Sequence, residues 1–237
     1  MNCKFDCYTN VGGRENNEDS MLAEEYGDEY LFAVADGLGG HDCGEVASAL
    51  AVDKLKELFT TADRFDLAEA MQAANVAVFD EQRKTGKLMR TTLVAAYIYE
   101  NKVMIAHAGD TRGYVFRDGA LYSRTLDHSA SQLAVRAGEI TPDQIRQHPD
   151  RNVLTKVLGG YESLKPEITV LTPGKNDTIL LCSDGFWEFV LEEEMISCLN
   201  RSFSPAGWIK KMAKIRQQKA PNDSDNNTAV AIFLKNR

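Results

Sequence analysis

The stretch Ala33-Val34-Ala35-Asp36-Gly37-Leu38-Gly39-Gly40-His41 decides how this chain is read: an apolar run stops at an acid, and glycines follow. Leu31 to Ala35 predicts a buried strand, which puts Asp36 at a strand end with its carboxylate fixed by rigid backbone. Gly37, Gly39 and Gly40 allow a tight turn and let bare backbone approach whatever the acid holds. An acid so placed suits a cation. Taken by itself, the stretch is equally a strand-to-helix turn with Asp36 as a turn or capping residue, and that plainer account is the better one locally.

The balance shifts because acid-bearing turns recur far along the chain. Thr178 to Cys182 is a second apolar run, and it ends at Ser183-Asp184-Gly185. Asp225, in Asn222-Asp223-Ser224-Asp225-Asn226-Asn227-Thr228, opens the last predicted strand, Ala229 to Leu234. Gly109-Asp110-Thr111-Arg112-Gly113 interrupts a strand pattern, where a hairpin tip competes with a functional turn. The polar segment from Arg14 through Glu18 and Asp19 to Ser20 is either a solvated turn or an arginine fork that grips phosphate beside metal-facing acids.

Asp36, Asp184 and Asp225 therefore stand at the ends of three predicted core strands, where their side chains can converge. Unpaired carboxylates that close together repel, and such a cluster persists mainly when cations neutralise it. Hard oxygen donors without a matching His/Cys set select Mg²⁺ or Mn²⁺ over zinc. Two ions about 3.5 to 4 Å apart that share one carboxylate would activate a bridging water for attack on a phosphoryl group, with Arg14 clamping the phosphate oxygens.

The rest of the chain supplies scaffold. Strands are predicted at Cys3 to Thr9, at Tyr30 to Asp36 as the second strand, at Thr91 to Tyr99, Lys102 to Ala108, Tyr114 to Arg117 and Ile168 to Leu171. Apolar residues at helical spacing mark amphipathic helices over Glu45 to Phe59 and Phe65 to Arg83, with two more at Glu192 to Leu199 and Pro205 to Gln218. Leu126 to Gly160 is looser, with short helices near Leu133 and after Thr141-Pro142. It reads as a mobile flap, with an inert connection as the competing view.

Composition narrows the function classes. At 237 residues, 43% hydrophobic and 26% charged, the chain has the profile of a folded globular protein. Its 35 acids against 27 bases leave a net charge of −8, which disfavours nucleic acid as a partner. The cysteines, Cys3, Cys7, Cys43, Cys182 and Cys198, are odd in number and lack paired zinc spacing, so reduced, unpaired thiols are expected. No signal-peptide core and no run near the ~18 apolar residues of a membrane span is present, and the expected compartment is the cytoplasm. A P-loop enzyme is excluded by the lack of a Gly-x4-Gly-Lys-Ser/Thr run.

The ordered set Arg14-x-x-Asn17-Glu18-Asp19, Ala35-Asp36-Gly37-x-Gly39-Gly40-His41, Gly109-Asp110-Thr111-Arg112, Asp127-His128-Ser129, Ser183-Asp184-Gly185 and Asp225-Asn226-x-Thr228 closely resembles the bacterial branch of the metal-dependent Ser/Thr protein phosphatases, type 2C (PPM). The resemblance implies an α+β fold: a four-layer α-β-β-α sandwich of two antiparallel sheets flanked by helix pairs, with a helical flap insert. It implies one catalytic domain over 1–237, the flap covering about 127–160. It further implies that Asp36 bridges two metals, that the Gly37 carbonyl binds one, and that Asp184 and Asp225 complete the second. Glu18 would act through metal-bound water, Asp110 would face a third ion with Asn152 of the flap beside it, and Arg14 would bind phosphate. Leu38 stands where animal-type members carry a histidine offered as general acid, and His41 lies further on. The implied activity is hydrolysis of phosphoserine and phosphothreonine in proteins, opposing a Ser/Thr kinase; a monomer is the default expectation. A catalytically silent relative that senses metal or a partner is the alternative.

Overall fold

The computed structural model describes residues 2–39 and 43–235. Two antiparallel sheets form its centre. One has the order β1-β11-β10-β7-β8, from Asn2–Asn10 (β1), Asn227–Lys235 (β11), Thr178–Cys182 (β10), Arg112–Arg117 (β7) and Ala120–Arg124 (β8). The other has the order β2-β3-β5-β6-β9, from Asp19–Tyr26 (β2), Glu29–Leu38 (β3), Leu93–Tyr99 (β5), Lys102–Ala108 (β6) and Glu167–Leu171 (β9), with the short Arg90–Thr91 (β4) paired to β3.

Side-chain alternation explains why the sheets stack. Along β3, Tyr30, Phe32 and Val34 point to the sheet interface, where they meet Val115, Ile179, Leu181, Val230 and Ile232 of the other sheet. Leu31, Ala33 and Ala35 point the opposite way and pack under α1 (Gly44–Thr61) and α2 (Leu67–Thr85) through Ala47, Ala51, Leu55, Met71 and Ala74. The far face of the first sheet does the same. Tyr114, Phe116, Leu180, Ala229 and Ala231 lie under α5 (Glu192–Leu199) and α6 (Pro205–Lys219), around the fully buried Trp208. Layer order is thus helices, sheet, sheet, helices, as the resemblance implied.

Helix ends follow local chemistry. Asp66 caps α2 by accepting from the Ala68 and Glu69 amides, and Gly86 ends that helix at φ +69°. Ser204 caps α6 ahead of Pro205.

Three sequence expectations change. The strand from Tyr30 is the third, not the second, because the stretch read as loop beyond Asp19 forms β2, whose acids Glu24 and Glu25 masked its alternation. The strand runs on to Leu38, so Asp36 sits inside β3, directly opposite Asp19 of β2. Gly37 is consequently not in a tight turn; it pairs with Thr91 of β4. The region expected to be a helical flap is only partly so: α3 (Ala130–Ala137) and a 3₁₀ turn over Pro142–Gln147 are followed by an extended piece, in which Leu154 bridges to Ser129 and Leu158 to Thr91. Gly40 and His41 lie outside the described residues.

Candidate metal centre

Arg14, Glu18, Asp36, Gly37, Asp110, Asn152, Asp184 and Asp225 line one cavity of about 470 Å³. Residues up to 211 positions apart in sequence meet there, for Arg14 Nη2 donates to Asp225 Oδ2 at 2.8 Å.

The backbone that carries Asp36 is held from both sides. Its carbonyl accepts from the Thr92 amide and the Thr91 hydroxyl, and its own amide donates to Thr92 Oγ1 at 3.1 Å. Gly37 is needed for close approach: a Cβ there would stand 2.2 Å from the Gly44 carbonyl oxygen and 2.7 Å from that of Glu18. Glu18 is pinned through its backbone, whose carbonyl accepts from the Gly37 amide and from Ser48 Oγ at 2.6 Å. Its carboxylate lies against Gly44, the first residue of α1, at the positive end of that helix.

Asp184 follows β10 as the first residue of a short helix, α4 (Asp184–Trp187). Asp225 lies in the loop before β11. Arg216, buried in α6, ties these two together by donating to the Gly185 carbonyl (3.0 Å), Ser224 Oγ (2.8 Å) and the Asp225 carbonyl (2.9 Å). Asn226 links the same loop to the Arg14 segment, its Nδ2 donating to the carbonyls of Val11 and Asn16 and its Oδ1 accepting from the Glu18 amide. Asn227 is fully buried and donates to the Asn10 carbonyl at 3.1 Å.

Asp110 follows Gly109, whose φ of +109° and whose 2.6 Å separation between a virtual Cβ and the Thr92 side chain both require glycine. Its carbonyl accepts from Trp187 Nε1 at 2.9 Å. The Arg112 guanidinium lies 3.5 Å from the centre of the Trp187 ring and forms a fork with Asp127 at 2.8 and 2.7 Å. This buried ion pair absorbs the Gly-Asp-Thr-Arg and Asp-His-Ser motifs: they orient the turn that presents Asp110.

The electrostatics are unusual. Burial, then the charges of Asp184, Asp19 and Asp110, push the Asp36 carboxyl well above the usual range. Asp110 is raised likewise by burial, then by Asp184 and Asp127. Burial and Asp225 bring Asp184 up to about 6. Asp19, which sequence reasoning quoted in a motif but did not place in the site, is pushed up to about 7 by burial despite bonds from Thr228 and Ser183. One signal pointed to it: an acid directly beside Glu18 with strand alternation beyond. Arg216 and Trp187 gave no such signal, being ordinary residues of an amphipathic helix and a helical turn.

A buried oxygen of Asp184 and one of Asp19 have no hydrogen-bond partner. Asp36 and Asp184 stand in hydrogen-bonding contact, which two carboxylates sustain only with a proton or a cation between them. Hard, orphaned carboxylate oxygens around a polar cavity fit divalent ions of the Mg²⁺ or Mn²⁺ type.

A second cluster, His107, His128 and Glu167, brings possible donor atoms within 4.8 Å of one another. Its geometry does not suit an ion. The two imidazoles stack at 4.6 Å with planes 25° apart, so in-plane lone pairs do not converge. His128 Nδ1 accepts from the Gly109 amide, which puts the proton on Nε2. The described cysteines form no disulfide; burial raises the Cys182 thiol, the behaviour of an inert core residue.

Comparison with known proteins shows the family. The profile of the Protein phosphatase 2C family matches residues 9–218, and the chain belongs to that family. It is 38% identical over 192 residues to the serine/threonine protein phosphatase PstP of Mycobacterium tuberculosis, a match that covers 78% of this chain and 36% of that protein. The chain thus spans little more than a third of that relative. With the serine/threonine phosphatase stp of Listeria welshimeri the identity is 35% over 235 residues, covering 94% and 92% of the two chains. The crystal structure of the catalytic domain of PstP in complex with two manganese ions superimposes with a TM-score of 0.86 at 30% identity, over 99% of each chain.

Proposed function

We propose that this protein hydrolyses phosphoserine and phosphothreonine esters in other proteins, as a single metal-dependent catalytic domain over 1–237 with its flap at about 127–160. The observation that carries the reading is the meeting of Asp36, Asp184 and Asp225, with Asp110 and Glu18 beside them and Arg14 at the rim, in one cavity. Asp36 sits between the other acids and would be shared by two ions, the Gly37 carbonyl and Glu18 facing one and Asp184 and Asp225 the other. Asp110 and Asn152 would hold a third. When bound, Mg²⁺ or Mn²⁺ ions supply an activated water nucleophile and neutralise charge on the phosphoryl oxygens.

The chain's own groups do the positioning. Arg14, now paired with Asp225 at the exposed rim, can swing to the phosphate and hold two of its oxygens as a fork. Arg216 and Asn226 fix the loop acids so that no reorganisation is needed when charge develops in the transition state. Leu38 offers no proton to the leaving oxygen, so the acid step does not rest on the side chain after Asp36-Gly37. Phosphorylated proteins and the pathway of an opposing Ser/Thr kinase are the partners that this activity requires. Among the described residues no helix is long and apolar enough to cross a membrane. We place the protein in the cytoplasm as a monomer.

The test is phosphate release from a phosphothreonine peptide by purified protein with Mn²⁺. Release should vanish with EDTA and in Asp36→Asn. Persistence in either case overturns the mechanism, and metal binding without turnover in the native protein would favour the silent, regulatory relative.

A further inference from the structure

A second depression opens beside the carboxylate cavity. It has a volume of about 660 Å³ and is lined by Leu38, Gly39, Cys43, Lys87, Leu88, Arg90, Asn152, Leu154 and Val157. Leu38, Gly39, Asn152 and Leu154 line both spaces, so the two form one continuous groove. One wall is the approach to β4, residues 87–90. The other is the extended part of the flap, which is fastened across the groove by Leu158 pairing with Thr91 and by Arg151 bonding Glu188 at 2.7 Å.

We propose that this second space holds the residues flanking the phosphorylated side chain of a protein substrate, and that Lys87 and Arg90 select an acidic residue there. The inference rests on the phosphatase reading and specifies its substrate class. Continuity comes first: a phosphoryl group seated among Asp36, Asp184 and Arg14 leaves its chain emerging over Leu38 and Leu154, and an extended chain advances roughly 3.3 Å per residue, so the next few residues fall between Lys87 and the flap.

Charge supplies the second argument. Lys87 and Arg90 are exposed, and neither forms an ion pair among the described residues, although the chain carries a net charge of −8. Arg90 stands at one end of β4, whose other residue, Thr91, holds the Asp36 carbonyl, so its backbone is fixed relative to the metal centre. Leu88, 65% exposed, and Leu154 add apolar surface for the stem of a glutamate or an apolar neighbour. The occupant expected is therefore an extended, acidic segment of a phosphoprotein.

The experiment compares phosphothreonine peptides that are identical except for Glu or Lys at each position within three residues of the phosphothreonine, assayed with Mn²⁺. p-Nitrophenyl phosphate, which has no flanking residues, is the reference substrate for every protein. Native protein should favour Glu over Lys in kcat/KM by roughly threefold to tenfold at one or two positions on one side, the size of one or two exposed ion pairs. Arg90→Glu combined with Lys87→Glu should invert that ratio, and Arg90→Ala combined with Lys87→Ala should bring it near unity. An unchanged ratio in the charge-reversed protein overturns the groove assignment, as does native protein with no flank preference. Failure of native protein to turn over p-nitrophenyl phosphate would instead overturn the phosphatase reading on which the assignment rests.

Discussion

Two buried charged regions of this molecule stand side by side and are built on opposite rules. Around Arg112 opposite charges meet: the guanidinium is forked to Asp127, donates to Tyr114 Oη at 3.2 Å and lies on Trp187, while Glu192 is bonded by Arg146 at 2.6 Å. Beside it Asp110 is buried and Asp36, Asp184 and Asp19 are half-buried, and the charges that act most on them are those of one another and of Asp225. The first arrangement suits a structural joint. The second is tolerable only with a proton or cation supplied from outside, which is the physical mark of a site rather than of a scaffold.

The sharpest way to break this contrast is to neutralise one acid. Asp36→Asn should lower turnover by about 10³-fold or more, since losing the shared carboxylate forfeits several kcal/mol of transition-state stabilisation. In metal-free protein the same change should raise stability, because it removes a buried like charge. If both turnover and metal-free stability fall, the cluster is structural after all.

Next in size is the joint. Asp127→Ala leaves a buried guanidinium without its fork and should cost about 3 to 5 kcal/mol, read as a lower urea midpoint. A cost under 1 kcal/mol would mean that Arg112 is not held as described. Gly185→Ala should follow at about 1 to 3 kcal/mol, because its Cβ would fall 2.1 Å from the Asn226 carbonyl oxygen. Since that shift displaces Asp184 against Asp225, turnover should fall further than stability.

The pH dependence separates the regions most finely. Burial brings Asp19 up to about 7 and Asp184 up to about 6 in the folded protein and pushes Asp36 and Asp110 well above the usual range, against about 3.9 for an unfolded aspartate. The folded state therefore binds more protons than the unfolded one through this window. Stability of the metal-free protein should fall as pH rises from about 4 to about 7, and apparent Mn²⁺ affinity should rise over the same interval as protons cease to compete. Differential scanning at each pH with EDTA checks the first, and Mn²⁺ titration the second. Stability that rises with pH in EDTA would put the excess charge elsewhere.

How much of this was legible in the sequence follows from the same contrast. Asp36 and Asp184 announced themselves because an acid that interrupts an apolar run next to glycine is conspicuous in one dimension, and Asp225 because it opens the last predicted strand. β5, β6 and the helices were legible for the complementary reason, an uninterrupted period. β2 was missed because its solvent-side acids look like loop. Arg216 was invisible as the tie between Asp184 and Asp225: nothing in a helix with four lysines and one arginine tells which of these cations turns inward. The threonines that hold Asp36, Thr91 and Thr92, were read only as strand formers. Such support acts through backbone contacts between distant segments, and a linear pattern does not encode them.

The central claim is that the buried acids are completed by divalent ions, and thermal unfolding of native protein and Asp36→Asn with and without Mn²⁺ at pH 8 tests it most directly. At a hundredfold excess over Kd the native protein should gain about 2.7 kcal/mol, or roughly 5 to 10 °C in Tm, while Asp36→Asn should gain little. Equal gains in the two proteins, or none in the native one, would contradict the account.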